Sequence, residues 1–385
     1  IGRHTHRNMV MALGSLPKHN AVASLGRLTG IGGLITASMI LSFYAIVAGW
    51  MLGFAASYPL SAAGMASTGD WLVTFGSPRN LTLMLIFMVL TMAVVLGGVE
   101  HGIERWSRRL MPLLIATLIA LALYVLTLEG ALTGLKVYLL PDFEKVLSGD
   151  LLIDALGSAF FSLSLGVGTM LIYGSYLSDT ENVPNVGAQV ALVDVGIAVL
   201  AGFLILPAMY VADARGVPIF NDVGGLLSED TLIFTVLPAL FETMEGTGVW
   251  LATAFFALMS IAALTSSISM LEVPVAYLIE RHQLSRHRAT LVASGVIAGF
   301  SALIALNFDT LFGWVITVST RYSQPALGIM ICIFAGWLWQ RDALLQELKK
   351  NDADAEQRLF WKIWPLYVKW LCPAIIGVIL TQSVL

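Results

Sequence analysis

Charge is scarce in this sequence. Only 12 % of the 385 residues are Asp, Glu, Lys or Arg, roughly half the share found in soluble domains. So few charges leave too little polar surface to keep a globule of this length in water. Cysteine is nearly missing as well. Cys332 and Cys372 are the only two and both sit in apolar runs, which argues against a disulfide framework or a metal cluster. The net charge of −4 is small, so no basic excess points to nucleic acid. The opening, Ile1 to Asn20, is basic without an apolar core and is no signal peptide. All six histidines (His4, His6, His19, His101, His282 and His287) fall between the apolar runs. A Ser/His, paired-Asp or metal constellation inside a membrane is therefore not on offer, and the reading is that this chain is not an enzyme.

What the sequence has in abundance is apolar length. Hydrophobic residues make up 57 % and the mean hydropathy is +0.83. Several runs exceed the roughly 20 residues that cross a bilayer as helix. Backbone groups in lipid must pair internally, leaving helices or closed barrels, and the blocks here do not alternate as barrel strands do. Nine spans are expected, near 31–56, 81–98, 109–128, 151–176, 186–211, 248–279, 286–306, 312–338 and 364–385. Basic residues in the connections set the orientation. With the N-terminus inside, fifteen Lys and Arg lie in the inner segments and four in the outer ones. The chain is thus expected to be a multi-pass inner (plasma) membrane protein, its N-terminus cytoplasmic and its C-terminus extracytoplasmic. Leu232 to Phe241 is too short to span and reads as a helical lid within the acidic connection 212–247, while Gln340 to Arg358 reads as a soluble helix and loop.

Some residues inside the spans carry chemistry. Phe160 to Gly168 places Ser162, Ser164, Gly166 and Gly168 in the middle of a membrane helix. Two readings stand: close helix packing through small residues, or an unwound segment whose freed carbonyls and amides bind a ligand near the midplane. Thr265-Ser266-Ser267 offers three hydroxyls, which either bond back to their own helix or donate oxygen to a hard cation such as sodium. Asp194 lies inside an apolar run, where an acid is costly and marks a cation ligand or proton carrier, unless it is a helix end near the interface. Glu272 raises the same question, with a structural hydrogen bond as its expected role. Arg321 is a further intramembrane charge with no assigned role.

Taken in order, Gly102-Ile103-Glu104-Arg105, Phe160 to Gly168, Asp194 with Ala201-Gly202 and Pro207, and Leu264-Thr265-Ser266-Ser267-Ile268-Ser269 resemble the bacterial branch of the neurotransmitter:sodium symporter family. The resemblance runs over essentially the whole chain. It implies an all-α polytopic membrane protein, an inverted-repeat transporter bundle of about nine helices here, one of them broken at mid-membrane. Residues 1–385 would form a single transporter domain. Its parts would be a cytoplasmic start and loop at 1–30, a remnant of the first repeat at 31–128, a second repeat at 151–338 with the extracellular lid 212–247, and a loop and final helix at 339–385. Ile1-Gly2-Arg3 looks like the end of the family's second helix, so the chain is expected to be N-terminally truncated. The family's first helix supplies carbonyls to both sodium sites and amides to the substrate carboxylate. A fragment without it is expected to be inactive alone.

The resemblance also implies roles, position by position. Tyr44 matches the tyrosine that holds the substrate carboxylate, and Phe161 the aromatic lid that closes against it. Ser164 matches a carbonyl facing the substrate amine, with Ile40, Val167 and Met270 lining the side-chain pocket and Ser266 beside them. Ser162 and Asp194 match the first sodium site; Ala262, Thr265 and Ser266 match the second. A fixed carboxylate at Asp194 would replace chloride, so sodium is expected as the co-transported ion and chloride is not expected to be required. Glu280 matches an acidic residue of the cytoplasmic gate, whose arginine partner would precede this chain. The outer-gate aspartate of the family falls at Phe312, with Asp309 one turn earlier. The implied function is sodium-coupled symport of an amino acid or related amine by alternating access. The expected partners are that small molecule, membrane lipid and a second copy of the chain as a homodimer.

Overall fold

In the computed structural model the described residues are 1–17, 19–140, 148–221, 226–227 and 231–382. Their regular structure is helical apart from a single Phe220–Leu226 bridge. The elements are α1 (Gly2–Thr5), α2 (Met9–Ser15), α3 (Asn20–Ala62), α4 (Ala66–Val73), α5 (Ser77–Leu96), α6 (Val99–Val125), α7 (Ala131–Leu139), α8 (Gly149–Ser162) and α9 (Thr169–Tyr176). There follow α10 (Val183–Ala214), α11 (Leu232–Glu242), α12 (Glu245–His282), α13 (Arg286–Leu306), α14 (Phe308–Leu338), α15 (Arg341–Lys349) and α16 (Leu359–Gln382).

The starts of these helices follow from local chemistry. Asn8 caps α2, its side-chain oxygen accepting from the amides of Val10 and Met11. Asn182 caps α10 in the same way through Asn185, and a proline follows in the first turn. Seven helices are long and apolar enough to cross a bilayer: α3, α5, α6, α10, α12, α13 and α16. An eighth crossing is α14, which meets α15 at a bend of 91°. The ninth expected span is α8 with α9, pieces of 14 and 8 residues that each fall short alone. Acidic residues Asp222, Glu229 and Asp230 of the connection read as a lid lie outside the described residues; its helix is α11.

Helix α3 is the axis of the bundle. Its glycines let neighbours approach closely: a Cβ on Gly30 would lie 2.5 Å from the Val10 Cα, so α2 rests directly on it. One apolar core joins α3, α5, α12 and α13 around Ile40, Leu41, Ile46, Phe87, Ile268 and Ile297. A second joins α3, α6, α10, α11 and α12 around Phe54, Leu118, Met209, Leu240 and Phe256. Helices α10 and α16 bury little of their surface and face outward.

Candidate functional site

The break between α8 and α9 is the centre of the site. Helix α8 stops at Ser162 and α9 begins at Thr169. In between, Ser164, Gly166 and Gly168 take the left-handed backbone, at φ 50°, 89° and 88°, a region open to glycine and costly for most other residues. A helix interrupted there leaves carbonyls unpaired, and two find substitutes. Thr169 Oγ1 donates to the Ser164 carbonyl at 3.2 Å, and Gln324 Nε2, from α14, donates to that of Leu165 at 3.0 Å. The backbones approach so closely that a Cβ on Gly166 would sit 2.4 Å from the Gln324 carbonyl.

Around the break, the sequence-derived residues gather from three other helices. Ile40 and Tyr44 stand one turn apart on α3, and they share a core with Val167 of the break and Met270 of α12. On α12, Thr265 Oγ1 donates to the Ala262 carbonyl at 2.8 Å, so two expected cation ligands lie side by side while Ser266 is exposed next to them. The neighbouring Ser267 is different: its hydroxyl meets Thr91 of α5 at 2.9 Å and ties two helices together. At the end of α8, the Ser162 hydroxyl donates to Asp194 Oδ1 of α10 at 2.7 Å. Phe161 is 47 % exposed and makes no ring contact with Tyr44 among the described residues.

The comparisons with known proteins converge on one family. Residues 71–385 match the model of the sodium:neurotransmitter symporter family. The chain belongs to this family. An uncharacterized sodium-dependent transporter of Haemophilus influenzae is 31 % identical over 400 residues, covering 100 % of this chain and 85 % of that protein. The uncharacterized sodium-dependent transporter YhdH of Bacillus subtilis is 32 % identical over 396 residues, covering 98 % and 83 %. The solved structure of MhsT in complex with L-phenylalanine superposes with a TM-score of 0.81 at 30 % identity, over 99 % of this chain and 86 % of that one. This is a multi-pass transporter of a sodium-dependent family and not an enzyme.

Within the transporter, hydrogen-bonded charges organise one end of the bundle. At the end that carries α1 and α2, Glu280 accepts from the backbone amide and the side chain of Asn8 at 2.7 and 2.5 Å, with Arg7 Nε 4.0 Å away. About two turns towards the break, fully buried Glu272 is held by Arg286 of α13 through two hydrogen bonds of 2.9 and 2.5 Å. Tyr176 at the end of α9 adds a third at 2.5 Å, and Arg286 also donates to the Val95 carbonyl of α5 at 3.1 Å. One carboxylate thus joins α9, α12 and α13 and, through its arginine, α5.

The opposite end is aromatic. Phe312 stacks on Phe308 at 4.4 Å and lies 6.0 Å from Trp50 and 6.2 Å from Phe43, while Asp309 is exposed. Phe234 of α11 packs on Trp50 at 5.5 Å and on Phe54 at 5.6 Å. Beneath them Arg79, 2 % exposed, lies 4.6 Å from the Phe75 ring, donating to the Leu72 carbonyl and Asn80, with Nη2 unpartnered. Arg321 lies exposed in the widened turn Thr317–Ser323. Arg79, Arg286, Gln324 and Asn8 carry no signal in the sequence. The first two read there as connection charges, because hydropathy does not show which way a helix end faces.

Proposed function

We propose that this chain is a sodium-coupled symporter of an amino acid with a branched or aromatic side chain, working by alternating access. The observation that carries the reading is the meeting of Val167, in the unwound segment 163–168, with Ile40, Tyr44 and Met270 in one core. Oxygen ligands suit a hard cation. Ala262, Thr265 and Ser266 would hold one sodium, and Ser162 with Asp194 a second. The substrate carboxylate would go to Tyr44, its amine to the Ser164 carbonyl, and its side chain against Ile40, Val167 and Met270. Phe161 would close over it. The Asp194 carboxylate makes the first sodium roughly neutral without chloride. The bias of basic residues towards the end carrying α1, α2 and α15 supports a cytoplasmic position for that end, with Glu280 at the inner gate. The binding of L-phenylalanine by MhsT supports the substrate class.

The test is uptake by the transporter, expressed from its own gene and reconstituted in liposomes. An inward sodium gradient should drive accumulation of branched or aromatic amino acids, with gluconate as good as chloride outside. Equal uptake under sodium and potassium gradients would sink the proposal.

A further inference from the structure

Helix α15 turns polar side chains back onto the bundle, and the partners of Glu347 lead to α9. Helix α1 rests on α9 backbone to backbone: a Cβ on Gly2 would lie 2.1 Å from the Leu171 carbonyl and 2.8 Å from the Ser175 amide. The next residue, Arg3, is 3 % exposed and donates to α15 from both sides of its guanidinium. Nε reaches Glu347 Oε1 at 2.5 Å, Nη2 the Glu347 carbonyl at 2.6 Å and Nη1 Asn351 Oδ1 at 2.9 Å. Nη1 also donates to the Glu181 carbonyl, in the connection that follows α9. That connection is held again by Lys350, which lies 2.8 Å from Asp179 and 3.1 Å from Glu347. Asn351 Nδ2 donates to the Asp179 carbonyl at 2.7 Å. His4 completes the ring around Glu347 at 3.3 Å.

The Lys350–Asp179 pair lies on the surface, where such pairs are worth little, but the Arg3–Glu347 pair does not. Glu347 is 6 % exposed and Arg3 less, so losing either leaves the other as a buried, uncompensated charge. Burial pushes the Glu347 carboxyl up, but hydrogen bonds from Arg3, Lys350 and His4 outweigh it and hold it below the ordinary carboxylate range. Asp179 and Glu347 hold Lys350 above its ordinary value.

We propose that Arg3 and Glu347 are positioning residues of the transport cycle, fastening α9 through α1 and the 177–182 connection to α15, so that this clasp sets how readily the inner half of the broken helix moves. The proposal rests on the alternating-access reading above. It is distinct from the Glu280 contact, which holds Asn8 of the α2 cap, and from the Glu272 contact, which ties α9 to α12 and α13 rather than to α15. Movement of α9 alone has to break the clasp, because α1 has no side-chain slack against it.

Hydrogen–deuterium exchange and uptake kinetics on the reconstituted transporter test this with Arg3→Gln, Glu347→Gln and the double variant. Each single change should speed exchange several-fold in 169–182 and leave α5 and α13 as they were. Opening the inner side lowers the share of outward-facing protein, so KM should rise about fivefold while kcat changes less than about twofold. The double variant should be no worse than Glu347→Gln alone, since coupled residues are not additive. Should Glu347→Gln not fold, Lys350→Gln alters an exposed side chain and should give a smaller rise confined to the same segment. Unchanged exchange in 169–182, or effects that add fully in the double variant, would overturn the clasp. Wild-type protein without sodium-driven uptake would instead overturn the transport reading, while exchange still reports on the clasp.

Discussion

A carboxylate in an apolar helix needs a donor or a cation, and among the described residues Asp194 has a single donor, the Ser162 hydroxyl at 2.7 Å. That leaves lone pairs for an ion. Asp194→Asn keeps the size and one oxygen but removes the charge. The variant should lose uptake or become stimulated by chloride, measured in chloride and gluconate media; wild-type behaviour in both would remove the assignment. On α12 the Thr265 hydroxyl spends its proton on the Ala262 carbonyl, so its lone pairs stay free for a cation. Replacing Thr265 and Ser266 together by alanine should raise the sodium needed for half-maximal uptake about tenfold or more, as each lost oxygen weakens a hard-ion site. A sodium titration of the double variant decides it, and an unchanged curve rules the site out. Glu272 gives a different kind of prediction. Arg286→Ala leaves a buried carboxylate uncompensated, at a cost of about 3–5 kcal/mol. Removing both members should cost less, so the double alanine variant should melt in detergent at a higher temperature than Arg286→Ala alone. These acids and hydroxyls were legible because their residue types are anomalous in lipid. Their partners were not, since an arginine at a helix start looks the same in sequence whether it faces water or a buried acid.

The broken helix is the element on which the reading turns. Its glycines and serines announced a weakness, yet packing and unwinding would look alike in one sequence. The structure settles that through backbone conformation and the approach of α14. Gly166 and Gly168 share a left-handed φ but differ in surroundings: a Cβ at Gly166 meets the Gln324 backbone at 2.4 Å, and one at Gly168 meets the end of the Met9 side chain at 2.5 Å. Backbone cannot yield as a thioether can. Both alanine variants should bear about 1–2 kcal/mol of left-handed strain. Gly166→Ala should in addition abolish uptake, whereas Gly168→Ala should retain a measurable fraction; equal activities would contradict this. The ends of elements were less legible than their existence. Span 31–56 grew into Asn20–Ala62, with Pro59 carried inside it, because the helix outlasts the apolar run at both ends. The widened turns, such as Thr317–Ser323, left no trace in hydropathy at all.

Across the whole molecule the two ends close by different chemistry, hydrogen-bonded charges at one and aromatic rings at the other. Trp50 is the hub of the aromatic end, touching Phe75, Phe234, Phe308 and Phe312 and donating to Asn80 at 2.8 Å. Trp50→Ala should destabilise by about 3–5 kcal/mol through the cavity it leaves, and Trp50→Phe by less. Thermal unfolding in detergent checks the order, and a Trp50→Ala variant as stable as wild type would show that the rings do not hold this end. The length of α3 has a consequence for the whole assembly. Its 43 residues measure about 65 Å, against about 30 Å for α5 and α13, so it crosses as a diagonal strut. Ile40 and Tyr44 lie beside its midpoint, while Gly30 meets α2 towards one tip and Trp50 meets the rings on the way to the other. A tilt of about 5° about the middle sweeps each tip through about 3 Å and leaves the centre almost still. The residues proposed to bind substrate occupy the fulcrum of a lever, the part that moves least when the two tips swing.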